Sequence, residues 1–180
     1  MAEALQAGIS RTALYAMRDR GVVETISRGV YRLTDLPGLE MPDLVAVARR
    51  VPKGVICLIS ALAFHGLTTQ IPHAVDVAVL RGMERPRIDY PPTHIYFFSQ
   101  KSFDSGVEIH EVDGQRLRVY SREKCVADAF KYRTKIGMDV ALEALRTWRS
   151  ERRGTVESLM EQARVCRVAN VMKPYLEASL

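Results

Sequence analysis

Arg11, Tyr15 and Arg18 recur at intervals of four and three, the spacing that puts side chains on one face of an α-helix. Thr12 lies beside them and Ser10 precedes them, well suited to cap the helix. Two guanidinium groups, a phenol and a hydroxyl on the first turns of a helix can reach base edges in a major groove. The helix N-terminus also favours a phosphate. Arg28, in Ser27-Arg28-Gly29, adds a cation at the tip of a short turn. The chemistry on offer is therefore recognition of double-stranded DNA, with Arg11, Thr12, Tyr15 and Arg18 on the groove-facing side and Arg28 at the hairpin tip. The competing reading is a small helix and hairpin with an ordinary polar face.

Catalytic chemistry does not assemble in the same way. The glycine-rich nucleotide signatures and the Gly-x-Ser-x-Gly elbow are absent. No Asp-x-Asp occurs, as a nucleotidyltransferase would need, and neither Glu-x-Lys nor Asp-x-Lys, as a metal-dependent nuclease would need. His65, His73, His94 and His110 have no metal-ligand spacing. His65 ends an apolar helix and reads as a structural histidine. Asp128 is a conceivable acid, but Lys124 at i−4 and Lys131 at i+3 offer it ordinary helix-surface pairs. No enzyme activity, cofactor or metal is expected.

The elements that must carry the DNA-facing residues are short. Residues 2–7 are compatible with a helix, and Gly8 breaks it. A second helix runs from Ser10 to about Arg20, with Gly21 placed to end it. Helix, Ala7-Gly8-Ile9 turn and helix give the skeleton of a helix-turn-helix. Residues 22–26 and 30–33 read as two strands around Ser27-Arg28-Gly29, forming a wing. Ala13, Leu14 and Met17 form the inward side, joined by Ile9 and Val22. With Leu5 this stripe is too small to bury itself, and the helix that normally opens such a module is missing. Either the true start lies upstream, or the C-terminal domain or another chain covers the stripe.

Pro37 and Gly38 mark a linker over residues 36–41, separating a module of residues 1–35 from a domain of residues 42–180. In that domain Pro42 opens a helix with Leu44, Val47, Ala48 and Val51 inward. Residues 55–59 form a buried strand or lead into the next helix, which Ser60 caps and Gly66 stops. Strands follow at 74–80 and 94–98, with a loop at 81–92 between them. A hairpin at 107–112 and 116–120 turns on Asp113-Gly114. Ser121, Asp139 and Thr155 cap three helices. Val140, Ala141, Ala144, Leu145 and Trp148 point inward from the second, and Val156, Leu159, Met160, Ala163 and Cys166 from the third. A last short helix spans 172–176. Strands followed by a helical run predict an α+β fold.

Composition agrees with this plan. Of 180 residues, 47% are apolar and 26% charged, the mix of a soluble globular protein. The net charge of +5 leans towards a polyanionic partner. Most of the excess sits in residues 121–180, where solvated helix faces account for it. No apolar run is long enough to span a membrane. The three cysteines are odd in number and widely spaced, so buried thiols are expected. No secretory leader opens the chain, and a cytoplasmic location is expected.

Ala7-Gly8-Ile9-Ser10-Arg11-Thr12-Ala13-Leu14-Tyr15, with Arg28-Gly29-Val30-Tyr31-Arg32-Leu33, resembles the winged-helix start of the AbiEi antitoxins. The resemblance continues through residues 60–67 (SALAFHGL), 121–128 (SREKCVAD), 130–133 (FKYR) and 135–145 (KIGMDVALEAL). The chain departs from the family at its N-terminus, where members usually carry about one more helix. The resemblance implies a type IV toxin–antitoxin protein linked to abortive phage infection. Its winged helix would bind operator DNA in its own promoter and repress it. Residues 42–180 would form the antitoxin domain, countering a nucleotidyltransferase-like toxin of the AbiEii type without needing a stable complex. Ser10, Arg11, Thr12, Tyr15, Arg18 and Arg28 match the family's DNA-contacting helix and wing. Two other readings stand beside this one: a solitary winged-helix regulator without a toxin, and an enzyme acting on nucleic acid.

Overall fold

The computed structural model describes residues 8–27, 30–34 and 40–178. The first helix, α1 (Arg11–Asp19), is defined by its ends. Ser10 caps it, its Oγ accepting the Ala13 N–H at 3.1 Å. Gly21, at φ +73°, turns the chain out of it. The Gly21 N–H donates to the Arg18 carbonyl and the Val22 N–H to the Met17 carbonyl, both at 2.9 Å, satisfying carbonyls the helix leaves open. Strands β1 (Val23–Ser27) and β2 (Val30–Leu33) then pair antiparallel, with a register shift between Thr25 and Ser27. Thr34 returns to the helix end, its hydroxyl donating to the Gly21 carbonyl at 2.6 Å. The hairpin follows the helix as expected. The helix expected at residues 2–7 and the turn residues Arg28 and Gly29 lie outside the described residues.

The cover over α1 differs from the expectation. Leu14 is buried, and Val23 beside it on β1, but Met17 and Val22 stay exposed. Helix α1 packs on β1, and β1 in turn meets α2 (Pro42–Arg50). The larger domain thus reaches the module through the hairpin and leaves Met17 open to solvent. Leu5, the other member of that stripe, lies outside the described residues.

The larger domain is built on a mixed five-stranded sheet in the order β5-β4-β3-β7-β6. Its strands are β3 (Val55–Ile56), β4 (Val75–Leu80), β5 (Thr93–Phe98), β6 (Val107–Val112) and β7 (Gln115–Tyr120). β3 runs antiparallel to β4 and parallel to β7, while β4 and β5 are parallel. The run at 55–59 therefore divides: two residues join the centre of the sheet, and the rest enters helix α3 (Leu58–Phe64). The β6–β7 hairpin turns on Asp113 and Gly114, both at positive φ, which suits a two-residue connection.

Helix α5 (Arg122–Lys131) is the centre of the helical layer. Helices α3, α7 (Met138–Glu151), α8 (Val156–Cys166) and α9 (Ala169–Ala178) all pack on it. The short helices α4 (Gln100–Asp104) and α6 (Arg133–Ile136) join neighbouring elements. The α7 stripe Val140, Ala141, Ala144, Leu145 and Trp148 is buried as the sequence predicts. Each large apolar side chain removed from water there contributes roughly 1.5–3 kcal/mol.

Several local expectations are corrected. Ser60 lies inside α3 rather than capping it; its Oγ accepts the Asp76 N–H at 2.9 Å and donates to the Ala74 carbonyl. Asp139 sits in the first turn of α7, which begins after Gly137 without a side-chain cap. Its carboxylate there still suits the helix dipole. Val156 is exposed, because α8 buries Leu159, Ala163 and Cys166 one turn further along. The last helix is longer than expected and carries Pro174 inside it. The fold is α+β, with nine helices among the described residues.

Candidate nucleic-acid interface

Arg11, Thr12, Tyr15 and Arg18 are all on α1, and all are exposed, as is Ser10 before them. Arg11 and Thr12 occupy the first turn, where the backbone N–H groups point outward along the helix axis. Tyr15 and Arg18 meet one turn later, the Arg18 guanidinium carbon lying 5.2 Å from the Tyr15 ring centre. Arg18 also pairs with Asp19, its Nη2 at 2.7 Å and Nε at 3.0 Å from one carboxylate oxygen. Both partners are largely in solvent, where water and salt screen the pair. The structure thus gathers five of the six expected contacting residues on one helix and its cap. Arg28, the sixth, lies outside the described residues.

Other polar residues of interest cluster in the larger domain. Lys124 and Asp128 are not a surface pair. Their side chains are 0% exposed, with Lys124 Nζ 2.5 Å from Asp128 Oδ2. The ammonium also lies 4.3 Å from the Tyr120 ring centre and 4.8 Å from that of Phe98. Cys166 donates its S–H to the other Asp128 oxygen at 3.1 Å. Burial depresses the Lys124 pKa, but Asp128 and the polar groups around it outweigh that, and the net direction is upward. Burial pushes the Cys166 thiol up to about 12 and the Cys57 and Cys125 thiols well above their ordinary range. All three are inert, protonated thiols at neutral pH, as the sequence predicts. A sealed pair of this kind fixes packing and offers no route to a substrate.

Asp76, on β4, is also buried. It accepts the Ile59 N–H at 3.1 Å and faces His94 Nδ1 at the same distance. Burial raises its pKa, and the bond to His94 limits the rise. This carboxylate ties the start of α3 to β4.

The spacing along the chain did not reveal a third cluster. His65, Glu108 and His110 each bring a ligand-type atom within 4.8 Å of the other two. His65 stands at the C-cap of α3, while Glu108 and His110 are alternate residues of the edge strand β6. Alternation puts the last two on one face, a signal present in the sequence. Only the fold brings His65 to that face. His65 Nε2 lies 2.7 Å from the Tyr120 carbonyl oxygen, and burial lowers its pKa below the ordinary histidine value. Its imidazole is therefore neutral at pH 7.

Residues 1–34 match the protein family described as "Transcriptional regulator, AbiEi antitoxin". That segment contains α1, β1 and β2, so the expected resemblance holds for the part of the chain that carries the exposed arginine face. No curated protein matches the chain. Among the described residues, no helix is long and apolar enough to cross a membrane.

Proposed function

We propose that this protein is a DNA-binding transcriptional regulator that represses its own promoter and acts as the antitoxin of a type IV toxin–antitoxin pair. The observation that supports this most directly is a coincidence of two findings. The segment matching the AbiEi regulators is also the segment whose helix exposes Arg11, Thr12, Tyr15 and Arg18. In this reading α1 lies in the major groove of an operator. Arg11 and Arg18 contact base edges or flanking phosphates, and Ser10 and the helix N-terminus receive a phosphate. The hairpin acts as the wing, with Arg28 reaching the backbone. The domain at 42–180 opposes a nucleotidyltransferase-like toxin, in the cytoplasm, by binding or antagonism rather than catalysis. The outcome is protection of a bacterial population against phage.

A mobility-shift titration on the DNA upstream of the protein's own reading frame tests the DNA-binding half. Replacing Arg11 and Arg18 with Ala should weaken binding by about 1–3 kcal/mol for each arginine that reads a base. An arginine that touches only phosphate should instead lower the salt slope by about 1. Unchanged affinity at every salt concentration would overturn the placement of α1 in the groove. Co-expression with an adjacent nucleotidyltransferase, scored by growth, tests the antitoxin half.

A further inference from the structure

We propose that His65, Glu108 and His110 form a binding site for a Zn²⁺ ion, with the remaining coordination position open to solvent. Two imidazoles and one carboxylate are a donor set that zinc accepts when it keeps one position for water. Their ligand atoms already lie within 4.8 Å of one another. Zinc bonds of 2.0–2.1 Å arranged tetrahedrally need ligand atoms about 3.3 Å apart. The Glu108 Oε2 to His110 Nε2 separation is 3.1 Å, so one edge of that tetrahedron is already in place. The His65 ligand atom lies within 4.8 Å of the other two, so it has at most about 1.5 Å to close.

The surroundings favour a metal over a simple ion pair. A zinc-ligating histidine usually donates its second ring N–H to a carbonyl or carboxylate, which fixes the ring and the tautomer. His65 has this arrangement: Nε2 faces the Tyr120 carbonyl at 2.7 Å, which leaves Nδ1 with the free lone pair. Phe64 packs edge-on against both imidazoles, with ring centres 5.2 Å from His65 and 4.9 Å from His110. Arg122 is the cation beside the site, its Nη1 donating to the His65 carbonyl at 2.8 Å. Its Nη2 pairs with Glu151 at 2.5 Å, and that carboxylate offsets it. Glu108 then supplies the negative charge that a divalent cation requires.

The site also has a structural consequence. Among the described residues β6 is an edge strand and pairs within the sheet with β7 alone. A metal held by Glu108 and His110 on β6 and by His65 at the end of α3 would clip that edge to the helical layer.

Chelator-treated full-length protein, with its thiols reduced, should be titrated with Zn²⁺ against a chromophoric competing chelator. One equivalent should bind per chain. Glu108→Gln and His110→Ala should each weaken it at least about tenfold, the scale expected of changes at a metal site. His94→Ala, which removes a histidine paired with Asp76 instead, should bind like wild type. Co²⁺ in place of zinc should give tetrahedral visible bands without a thiolate charge-transfer band. Because His65 also anchors the Tyr120 carbonyl, the variant at exposed Glu108 decides the matter where a His65 variant fails to fold. Absence of a bound equivalent, unchanged affinity in both the Glu108 and His110 variants, or loss of binding in His94→Ala would overturn the assignment.

Discussion

Replacing Lys124 with Met should be one of the most destabilising single changes in this protein. Met keeps most of the volume and removes the ammonium. The Asp128 carboxylate, 0% exposed, is then left with the Cys166 S–H at 3.1 Å in place of a full positive charge at 2.5 Å. Breaking a buried pair by removing one partner costs about 3–5 kcal/mol, because the other charge stays buried without compensation. Asp128→Asn should also destabilise, since its amide oxygen can still accept from the ammonium but no longer balances its charge. Lys124→Met with Asp128→Leu removes both charges at once, and apolar replacement of a whole buried pair is often close to neutral. The double variant should therefore be more stable than either single one. In urea titrations followed by circular dichroism, with a slope of about 2 kcal/mol/M, each single change should move the midpoint down by roughly 1.5–2.5 M. The pH dependence has a definite sign. The folded Lys124 pKa lies above its ordinary 10.5, so the pair's contribution is complete below that value and is lost only as pH rises through the folded pKa. In wild type the pair's contribution should thus stay constant from about pH 6 to 9. Single variants within about 1 kcal/mol of wild type, or a double variant whose cost is the sum of the two, would refute the reasoning.

The thiols and one loop give two further tests. Cys57, Cys125 and Cys166 are buried and protonated, so a thiol reagent at neutral pH should label none in the native state and three in denaturant. Glu143 on α7 accepts from the Thr68 hydroxyl at 2.8 Å and from the Thr69 N–H at 2.9 Å, bonds that lower its pKa below the ordinary value of 4.5. Glu143→Ala should cost about 1 kcal/mol at pH 7 in thermal unfolding. A lowered carboxyl pKa gives stability above 4.5 that is lost as pH falls through the folded value, so the cost should shrink in acid.

What could be read from the sequence divides by the range of the interaction. Ser10, Gly21, Asp113-Gly114, Ser121 and Thr155 act through bonds within a few residues, and the structure places these caps and turns where local chemistry puts them. The α7 stripe was legible because one side of the helix faces solvent and the pattern is plain. Ser60 misled because a serine before an apolar run looks the same whether it caps a helix or, as here, reaches across to β4. The Lys124–Asp128 pair misled for a related reason. Spacing of i, i+4 is identical on an exposed face and in a core, and only the surroundings of the helix distinguish them. Residues 124–130 are buried all round α5, a fact set by α3, α7, α8 and α9 together. His65 and His110 belong to the same class, since their proximity depends on where the end of α3 meets an edge strand.

The two parts of the chain are accordingly held by different means. The larger domain rests on a core in which even the charged residues are sealed. Helix α1 buries Leu14 and is defined by its cap, its glycine exit and the hairpin behind it. A nine-residue helix has little stability of its own in water, where roughly 12–15 residues are needed even for marginal helicity. Leu14 is its buried residue, and the rest of its surface is exposed. That division fits the proposed reading, in which the DNA-facing surface is small and local and the larger domain has a separate role. The family match over residues 1–34 covers that surface, and the packing of the hairpin on α2 supports it from behind. In this reading the exposed Arg11, Tyr15 and Arg18 face has its counterpart in DNA, and the domain behind it supplies the rigid frame from which α1 is presented.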